Sequence, residues 1–209
     1  MSAQGVNQFD KNGKRHGLWQ KNYENTNVLR YRGNFSHGKE VGEFKFYINS
    51  KGKPILSATK VFKPENSISQ VTFFTSKGKV ISEGKMDGKK HIGIWKYYQK
   101  SSDELLILEE FNDLGVLDGE RQVFYANGQV AEKANYSQGM LDGLSTWYSE
   151  DGVLIKELRY VDNQLEGDTK VYNGKGELII EGQYKKGQKS GIWNYFEAGN
   201  LTEQKNFSR

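Results

Sequence analysis

The chain has 209 residues, of which 13% are aromatic and 35% hydrophobic, and its mean hydropathy is −0.78. This composition argues against a thick two-layer core, and it argues against disorder because disordered chains are poor in aromatic residues. Cysteine is absent, which excludes disulfides and thiol catalysis, and a net charge of +4 without a long basic run argues against nucleic-acid binding.

In chain order, a short first strand, a turn, a short second strand and another turn recur. The first strand carries one large apolar residue, at Phe9, Phe35, Phe62, Met86, Phe111, Tyr136, Tyr160 and Tyr184. The second strand has a glycine before its aromatic residues, at Gly17, Gly42, Gly93, Gly119, Gly143, Gly167 and Gly191, with Ser69 in this position in a degenerate copy. These second-strand positions are 24 to 27 residues apart. The register predicts eight repeats, and Phe207 begins half of a ninth.

Glycine also marks the two turns of each repeat. The first turn contains Gly13, Gly38, Gly88, Gly115, Gly139 and Gly187, with Asn163 once, and the second contains Gly52, Gly78, Gly128, Gly152, Gly176 and Gly199. Tight hairpin turns require positive φ angles, which glycine and asparagine adopt at low cost. The strands between the turns are rich in aromatic and β-branched residues. The sequence therefore predicts an all-β fold of consecutive hairpins.

The segment from Tyr184 to Phe196 reads Tyr-x-x-Gly-x-x-x-Gly-x-Trp-x-Tyr-Phe and resembles a MORN repeat. The 24-residue spacing is similar to that of the bacterial variant whose members are often labelled as antitoxins of toxin–antitoxin systems. The resemblance extends from Phe9 to Phe207. It implies an elongated, single-layer antiparallel sheet of about eight tandem β-hairpins, twisted into a curved rod, in a protein that binds or scaffolds other molecules.

The pattern is interrupted in two places, and these interruptions suggest a domain plan. Around Lys60 to Ser69 the turn glycine is missing and Pro64 enters, which predicts an irregular loop or a bend. At Gln99 to Asp103 a loop replaces the second glycine turn. We therefore expect an N-terminal tail at 1–8, two repeats at 9–59, a degenerate repeat with the bend at 60–83, and the remaining array at 84–209.

The sequence offers little support for catalysis or metal binding. The three histidines, His16, His37 and His91, belong to separate repeats at unequal offsets, and we expect them in exposed turns. A column of carboxylates precedes the first-strand aromatic residue, at Glu83, Glu109, Glu157 and Glu181. A repeated column is typical of a structural device such as cross-strand pairing, whereas an active site is a single constellation. No phosphate-binding or nucleophile motif is present, so we predict a non-enzyme without cofactor.

The aromatic residues are the remaining candidates for a binding site. Most of them should form the core, but a single layer leaves some rings partly exposed, and exposed apolar patches favour interaction. The candidate partner-binding residues are Trp19, Phe44, Trp95, Tyr97, Trp147, Trp193 and Tyr195. Phe207 marks a candidate edge strand, which could pair with a second copy.

Three functions follow as alternatives. The first is a protein-interaction scaffold whose partner is another protein, a toxin if the antitoxin label holds, or a second copy. The second is a glycan- or cell-surface-binding module of an exported protein. The third, binding to an anionic membrane surface, has the least support, since neither an amphipathic helix nor a polybasic cluster is indicated by the sequence. The compartment is open as well: Ser2-Ala3-Gln4 reads either as an unstructured start of a cytoplasmic protein or as the remnant of a removed export signal.

Overall fold

A computed structural model describes residues 5–208, so the Ser2-Ala3-Gln4 segment lies outside the described residues. The described residues form strands, turns and loops, and none of them builds a helix long and apolar enough to span a membrane. The predicted all-β class is therefore confirmed. The chain divides into two compact units, residues 1–100 and residues 101–209, and the division falls in the predicted loop at Gln99 to Asp103.

The first unit contains eight strands, each paired antiparallel with the next one along the chain. They are β1 (Gln8–Phe9), β2 (Arg15–Asn22), β3 (Leu29–Ser36), β4 (Lys39–Ser50), β5 (Lys53–Phe62), β6 (Ile68–Phe74), β7 (Val80–Asp87) and β8 (Lys90–Tyr98). Within the predicted region Lys60 to Ser69, residues 63–67 form a loop between β5 and β6, and the residues on either side of it belong to these two strands.

The second unit continues the same hairpin order. Its strands are β9 (Leu105–Phe111), β10 (Gly119–Phe124), β11 (Val130–Ser137), β12 (Met140–Tyr148), β13 (Leu154–Val161), β14 (Gln164–Leu165), β15 (Gly167–Tyr172), β16 (Leu178–Lys185), β17 (Gln188–Glu197) and β18 (Asn200–Asn206). Strand β13 pairs with both β14 and β15, which together occupy one strand position. The described strands thus form eight strand pairs and one further strand, which confirms the predicted eight and a half repeats.

The turns have the predicted backbone conformation. In the turn between β3 and β4, His37 and Gly38 have φ angles of 48° and 88°. Asp162 and Asn163, at 47° and 65°, repeat this geometry without glycine. Two successive positive φ angles are the signature of a type I′ turn, whose twist matches that of the flanking strands.

The second-strand glycines serve a different purpose from the turn glycines. Gly17, inside β2, has a φ of 73° and lies directly across from Phe35 on β3. Gly167 likewise has a φ of 85° and lies across from Tyr184. A Cβ added at Gly17 would meet no atom within 4 Å, so glycine is required here by the backbone conformation and not by lack of space.

Candidate functional site

Side chains alternate across each sheet, so one face of the first unit collects its large rings. We call this face the ring face of the first unit. Phe9, Trp19, Phe35, Phe44 and Phe62 follow one another along it, and each successive pair meets edge to face with ring centroids 5.0 to 5.9 Å apart. Edge-to-face contact is the favoured geometry for aromatic rings, because the positive ring edge meets the negative ring face. The predicted aromatic ladder is therefore present as a continuous chain of rings in this unit.

The two fully buried rings of this face each rest on a glycine of the neighbouring strand. The first unit has two such pairs, Phe44 on Gly33 and Trp95 on Gly84. A Cβ at Gly33 would lie 2.3 Å from the Phe44 ring, and one at Gly84 would lie 2.5 Å from the Trp95 ring. The sequence reading did not single out these glycines, although each lies two residues before the first-strand apolar column.

The buried tryptophans also satisfy a backbone acceptor beside these glycines. The Trp95 indole N–H donates to the Lys85 carbonyl at 2.8 Å, and the Trp193 indole N–H donates to the Gln183 carbonyl at 3.1 Å. Each carbonyl belongs to the residue after the glycine beneath the ring, which is Gly84 for Trp95 and Gly182 for Trp193. The strand register shifts at both glycines. The bulge, the glycine and the indole therefore form one structural unit that fixes the ring.

The second unit has a ring face of its own, with a different composition. Its ring cluster is Tyr184, Trp193 and Phe207, with centroids 5.1 and 6.1 Å from that of Trp193. In the three preceding repeats the position of Trp193 is taken by Arg121, Ser145 and Thr169. Here the ring face is therefore partly polar.

Arg121 is the centre of an ion-pair group on this face. Its Nε lies 3.2 Å from Glu109 Oε1, and its Nη1 lies 3.9 Å from Glu132 Oε1. All three side chains are less than a third exposed, so the solvent screens them only partly. Glu109 belongs to the predicted carboxylate column, and its role in cross-strand pairing is as expected.

The other members of that column have uncharged partners. Tyr98 donates its hydroxyl to Glu83 at 2.6 Å, and Tyr172 donates to Glu157 at 2.8 Å. Burial, with the nearby carboxylate as the second cause, raises the pKa of both tyrosines to about 12. The fourth carboxylate, Glu181, accepts a hydrogen bond from Asn194 at 2.9 Å. Each carboxylate thus has a local structural partner.

The histidines do not all lie in exposed turns. His37 does, and its Nδ1 lies 2.6 Å from an Asp10 carboxylate oxygen, a hydrogen bond that lowers the Asp10 pKa to about 2. His16 is exposed but begins strand β2, with its ring 4.8 Å from that of His37. The prediction is wrong for His91, which is half-buried in β8 and stacks on Trp95 at 3.6 Å. Among residues 5–208 no group of three His, Asp or Glu side chains is placed to hold a metal ion.

The candidate binding residues fall into two groups by exposure. Phe44, Trp95 and Trp193 are buried and form the core of their ring faces. The others, Trp19, Tyr97, Trp147 and Tyr195, are half-exposed. Only this second group can offer ring surface to a partner without unfolding.

Cationic side chains lie over the rings of both faces. Arg15 is 5.0 Å from the Trp19 centroid, and Lys156 is 4.1 Å from the Trp147 centroid. Lys189 lies 4.0 Å above Trp193. A cation over a ring is stabilised by the ring quadrupole while its outer side stays available to an anion. The exposed part of each ring face is therefore aromatic and positively charged.

Two cavities open beside the ring clusters. The first, of about 740 Å³, lies in the first unit; its lining includes Phe35, Phe46, Phe62, Lys39, Lys60 and Lys63. The second, of about 960 Å³, lies in the second unit; its lining includes Lys185, Lys186, Lys189 and Phe207. The predicted edge residue Phe207 thus belongs to both the Trp193 ring cluster and this basic cavity.

Comparison with known families agrees with this architecture. Residues 117–138 and 141–162 match the family model described as a MORN repeat variant. The two matches cover β10 with β11 and most of β12 with β13, so each begins with a second strand and ends with the next first strand. MORN repeats are in general non-catalytic repeat modules that often bind membranes or proteins. A search among curated proteins finds no match.

Proposed function

We propose that this chain, two of whose repeats match the MORN repeat variant, is a non-catalytic scaffold that binds another protein through its ring faces. The observation that carries the proposal is the exposure of Tyr97, Trp147 and Tyr195 beside buried rings of the same faces. Trp and Tyr with a polar rim are the residues most enriched at the centres of protein interfaces. The family resemblance suggests a toxin as one such partner.

The chemistry of the ring faces supports a protein partner over a catalytic role. The partly buried Glu109 and Glu132 on the ring face of the second unit share Arg121. Glu83 and Glu157, on the opposite sheet faces, accept tyrosine hydroxyls. Their charges are used to hold neighbouring strands together. The rings and their cations remain as the groups that a partner can contact.

Affinity purification of the tagged full chain, followed by reconstitution with the purified partner, tests the proposal. Trp147→Ala and Tyr97→Ala should weaken the reconstituted complex at least tenfold, because each removes exposed ring area from the contact. The matched controls are Ile94→Ala and Ile192→Ala, which remove apolar side chains that are 54% and 51% exposed on the opposite sheet faces. Equal loss in all four variants would contradict binding through the ring faces.

The same variants separate the competing functions. Saturable, ring-dependent binding to one member of a glycan panel, without a protein partner, would favour the glycan module. Co-sedimentation with phosphatidylserine vesicles at low salt, lost in high salt, would favour membrane binding. Either result, in the absence of a stoichiometric protein complex, would overturn the proposal.

Self-association through β18 is a second candidate. Within the second unit β18 pairs with β17 only, and all seven of its residues are exposed. An exposed strand edge is a template for pairing with another strand. We expect a concentration-dependent dimer in light scattering that is disrupted by Thr202→Pro; a strict monomer at millimolar concentration would remove this candidate.

A further inference from the structure

The cavity of the first unit is lined by Lys60, which stands at a position where two other repeats of this unit have glycine. Two residues before the first-strand apolar column, other repeats of this unit have Gly33 and Gly84, each beneath a ring. Lys60 takes this position in β5 and lies across from Val71 in β6. Because Val71 is far smaller than Trp95, the long lysine side chain fits where other repeats need glycine. We call this cavity the groove.

The groove is amphipathic. Phe35, Phe46 and Phe62 form its apolar floor, and the loop after β5 contributes Pro64 to its rim. Its volume of about 740 Å³ is within the usual range of small-ligand sites, about 300–1,000 Å³. A short segment of extended chain therefore has room in it.

The charges around the groove are unbalanced. Lys39, Lys60 and Lys63 line it together with a single carboxylate, Glu40. The Lys60 residue is half-buried, and its ammonium group has no ion pair, hydrogen bond or ring contact among residues 5–208. An incoming carboxylate would give this ammonium group a charge-assisted hydrogen bond.

Resting on the proposed function, we infer that this groove binds an acidic segment of a partner protein that places an aromatic side chain between carboxylates. The aromatic side chain packs on the phenylalanine floor, and the carboxylates meet the lysines of the rim. A phosphate or lipid headgroup would use the lysines but leave the floor uncovered, so the observations favour a peptide. The second basic cavity fits less well, because the Lys189 ammonium already lies over Trp193 and Phe207.

Fluorescence polarisation with a labelled peptide of sequence Glu-Asp-Phe-Asp-Glu tests this inference on the full chain. We expect saturable binding that weakens about tenfold in Lys60→Gln, which removes one charge-assisted hydrogen bond. Lys60→Arg should retain binding. The matched control is Lys85→Gln, which removes the same charge from an exposed position on the opposite face. Replacing the peptide phenylalanine by alanine should also weaken binding about tenfold.

Three outcomes would overturn the inference. Equal weakening by Lys60→Gln and Lys85→Gln would show unspecific attraction to a positive surface. Equal affinity for the phenylalanine and alanine peptides would show that the floor is not used. Lys60-dependent binding of phosphatidylserine vesicles without peptide binding would assign the groove to lipid. Lys63→Gln, in the exposed loop, repeats the test should Lys60→Gln prove unstable.

The test also separates this inference from the proposed function. If the peptide fails to bind while Trp147→Ala still weakens a reconstituted protein complex, the groove assignment is wrong and the scaffold function stands. If the peptide binds in the predicted manner but the ring-face variants leave that complex unchanged, the groove stands and the wider ring-face proposal fails.

Discussion

The two units use one backbone register to build two different interiors. Eight of the ten buried hydrophobic residues of the described chain lie in the first unit, and Ala134 and Trp193 are the two in the second. Buried hydroxyl residues occur in both units: Ser69 and Ser82 in the first, and Ser145, Thr146 and Thr169 in the second. The turns and the strand pairing are common to the two units. The ring-face position two residues after the second-strand glycine varies, and it holds a ring at Trp95 and a polar side chain at Ser145.

Size complementarity across strands explains which interior a repeat adopts. Where the ring position holds Trp95, its neighbour is Gly84; where it holds Ser145, the neighbour is Ala134, directly across the sheet. The buried rings Phe44, Trp95 and Trp193 each lie on a glycine, and the small Ser145 permits a methyl group at the neighbouring position. The two residues that face each other across neighbouring strands therefore vary together from one repeat to another, as Trp95 with Gly84 and Ser145 with Ala134 show.

The largest expected effect comes from replacing Trp95 and Gly84 of the first unit by serine and alanine, the residues that the second unit has at Ser145 and Ala134. Trp95→Ser should lower the free energy of unfolding by about 4 kcal/mol, because a fully buried ring is lost. Gly84→Ala alone should cost about 2 kcal/mol, since its Cβ would lie 2.5 Å from the ring. In the double variant the added methyl meets no ring, so the two costs should fall short of additivity by about 2 kcal/mol. Urea unfolding of the four proteins measures this coupling.

Ala134→Gly provides the control for this cycle in the second unit. It faces Ser145 and not a ring, so it should cost no more than about 1 kcal/mol, the ordinary effect of glycine in a strand. Simple additivity of Trp95→Ser and Gly84→Ala would contradict the pairing rule.

The polar interior of the second unit should depend on Arg121. Arg121→Met leaves Glu109 and Glu132 facing each other across a partly buried site, and we expect a loss of about 2 kcal/mol in unfolding free energy. Lys45→Met is the matched control, because its ion pair with Glu43 is about half exposed and should contribute less than about 0.5 kcal/mol. Similar losses in urea unfolding for both variants would show that the Arg121 group is no more than a surface pair.

Two buried hydroxyls of the second unit should respond in opposite directions. The Ser145 hydroxyl has no hydrogen-bond partner among the described residues, whereas the Thr169 hydroxyl donates to the Glu157 carbonyl at 3.1 Å. Ser145→Ala should therefore raise the thermal midpoint and add about 1 kcal/mol of stability, and Thr169→Val should remove about 1 kcal/mol. Destabilisation by Ser145→Ala, measured by calorimetry, would indicate that its hydroxyl is satisfied in solution.

The sequence was sufficient to predict the hairpins because turn glycines and strand aromatics are local signals. Gly38 and Gly187 lie in turns as expected, and the ladder through Trp19 and Phe35 is present. Which rings would be buried was harder to predict, because burial depends on the residue across the strand pair. Trp95 is buried and Trp19 half-exposed, yet both follow a second-strand glycine by two residues.

Two features of the candidate site required the structure for the same reason. The place of Lys60 on the ring face depends on Val71, eleven positions further along, and the ion-pair group depends on the register that brings Arg121 beside Glu132. Neither pairing has a local sequence signal. The departure of Lys60 from the glycine position is visible in the sequence, but its meaning is clear only once Val71 is known to face it.

The smallest expected effect concerns a feature that the two units share. Tyr98 in the first unit and Tyr172 in the second each donate to a column carboxylate, and their pKa is raised from 10.0 to about 12, mainly by burial. A raised phenol pKa means that the folded state holds the proton more tightly than the unfolded state. The associated stability is therefore fully present below pH 10 and is lost as the pH rises toward 12. Absorbance at 295 nm should show two tyrosines that ionise last, one of which disappears in each of Tyr98→Phe and Tyr172→Phe. Glu83→Gln should lower the Tyr98 pKa only in part, because burial remains the larger cause; a complete return to 10.0 would show that the carboxylate, and not burial, dominates this device.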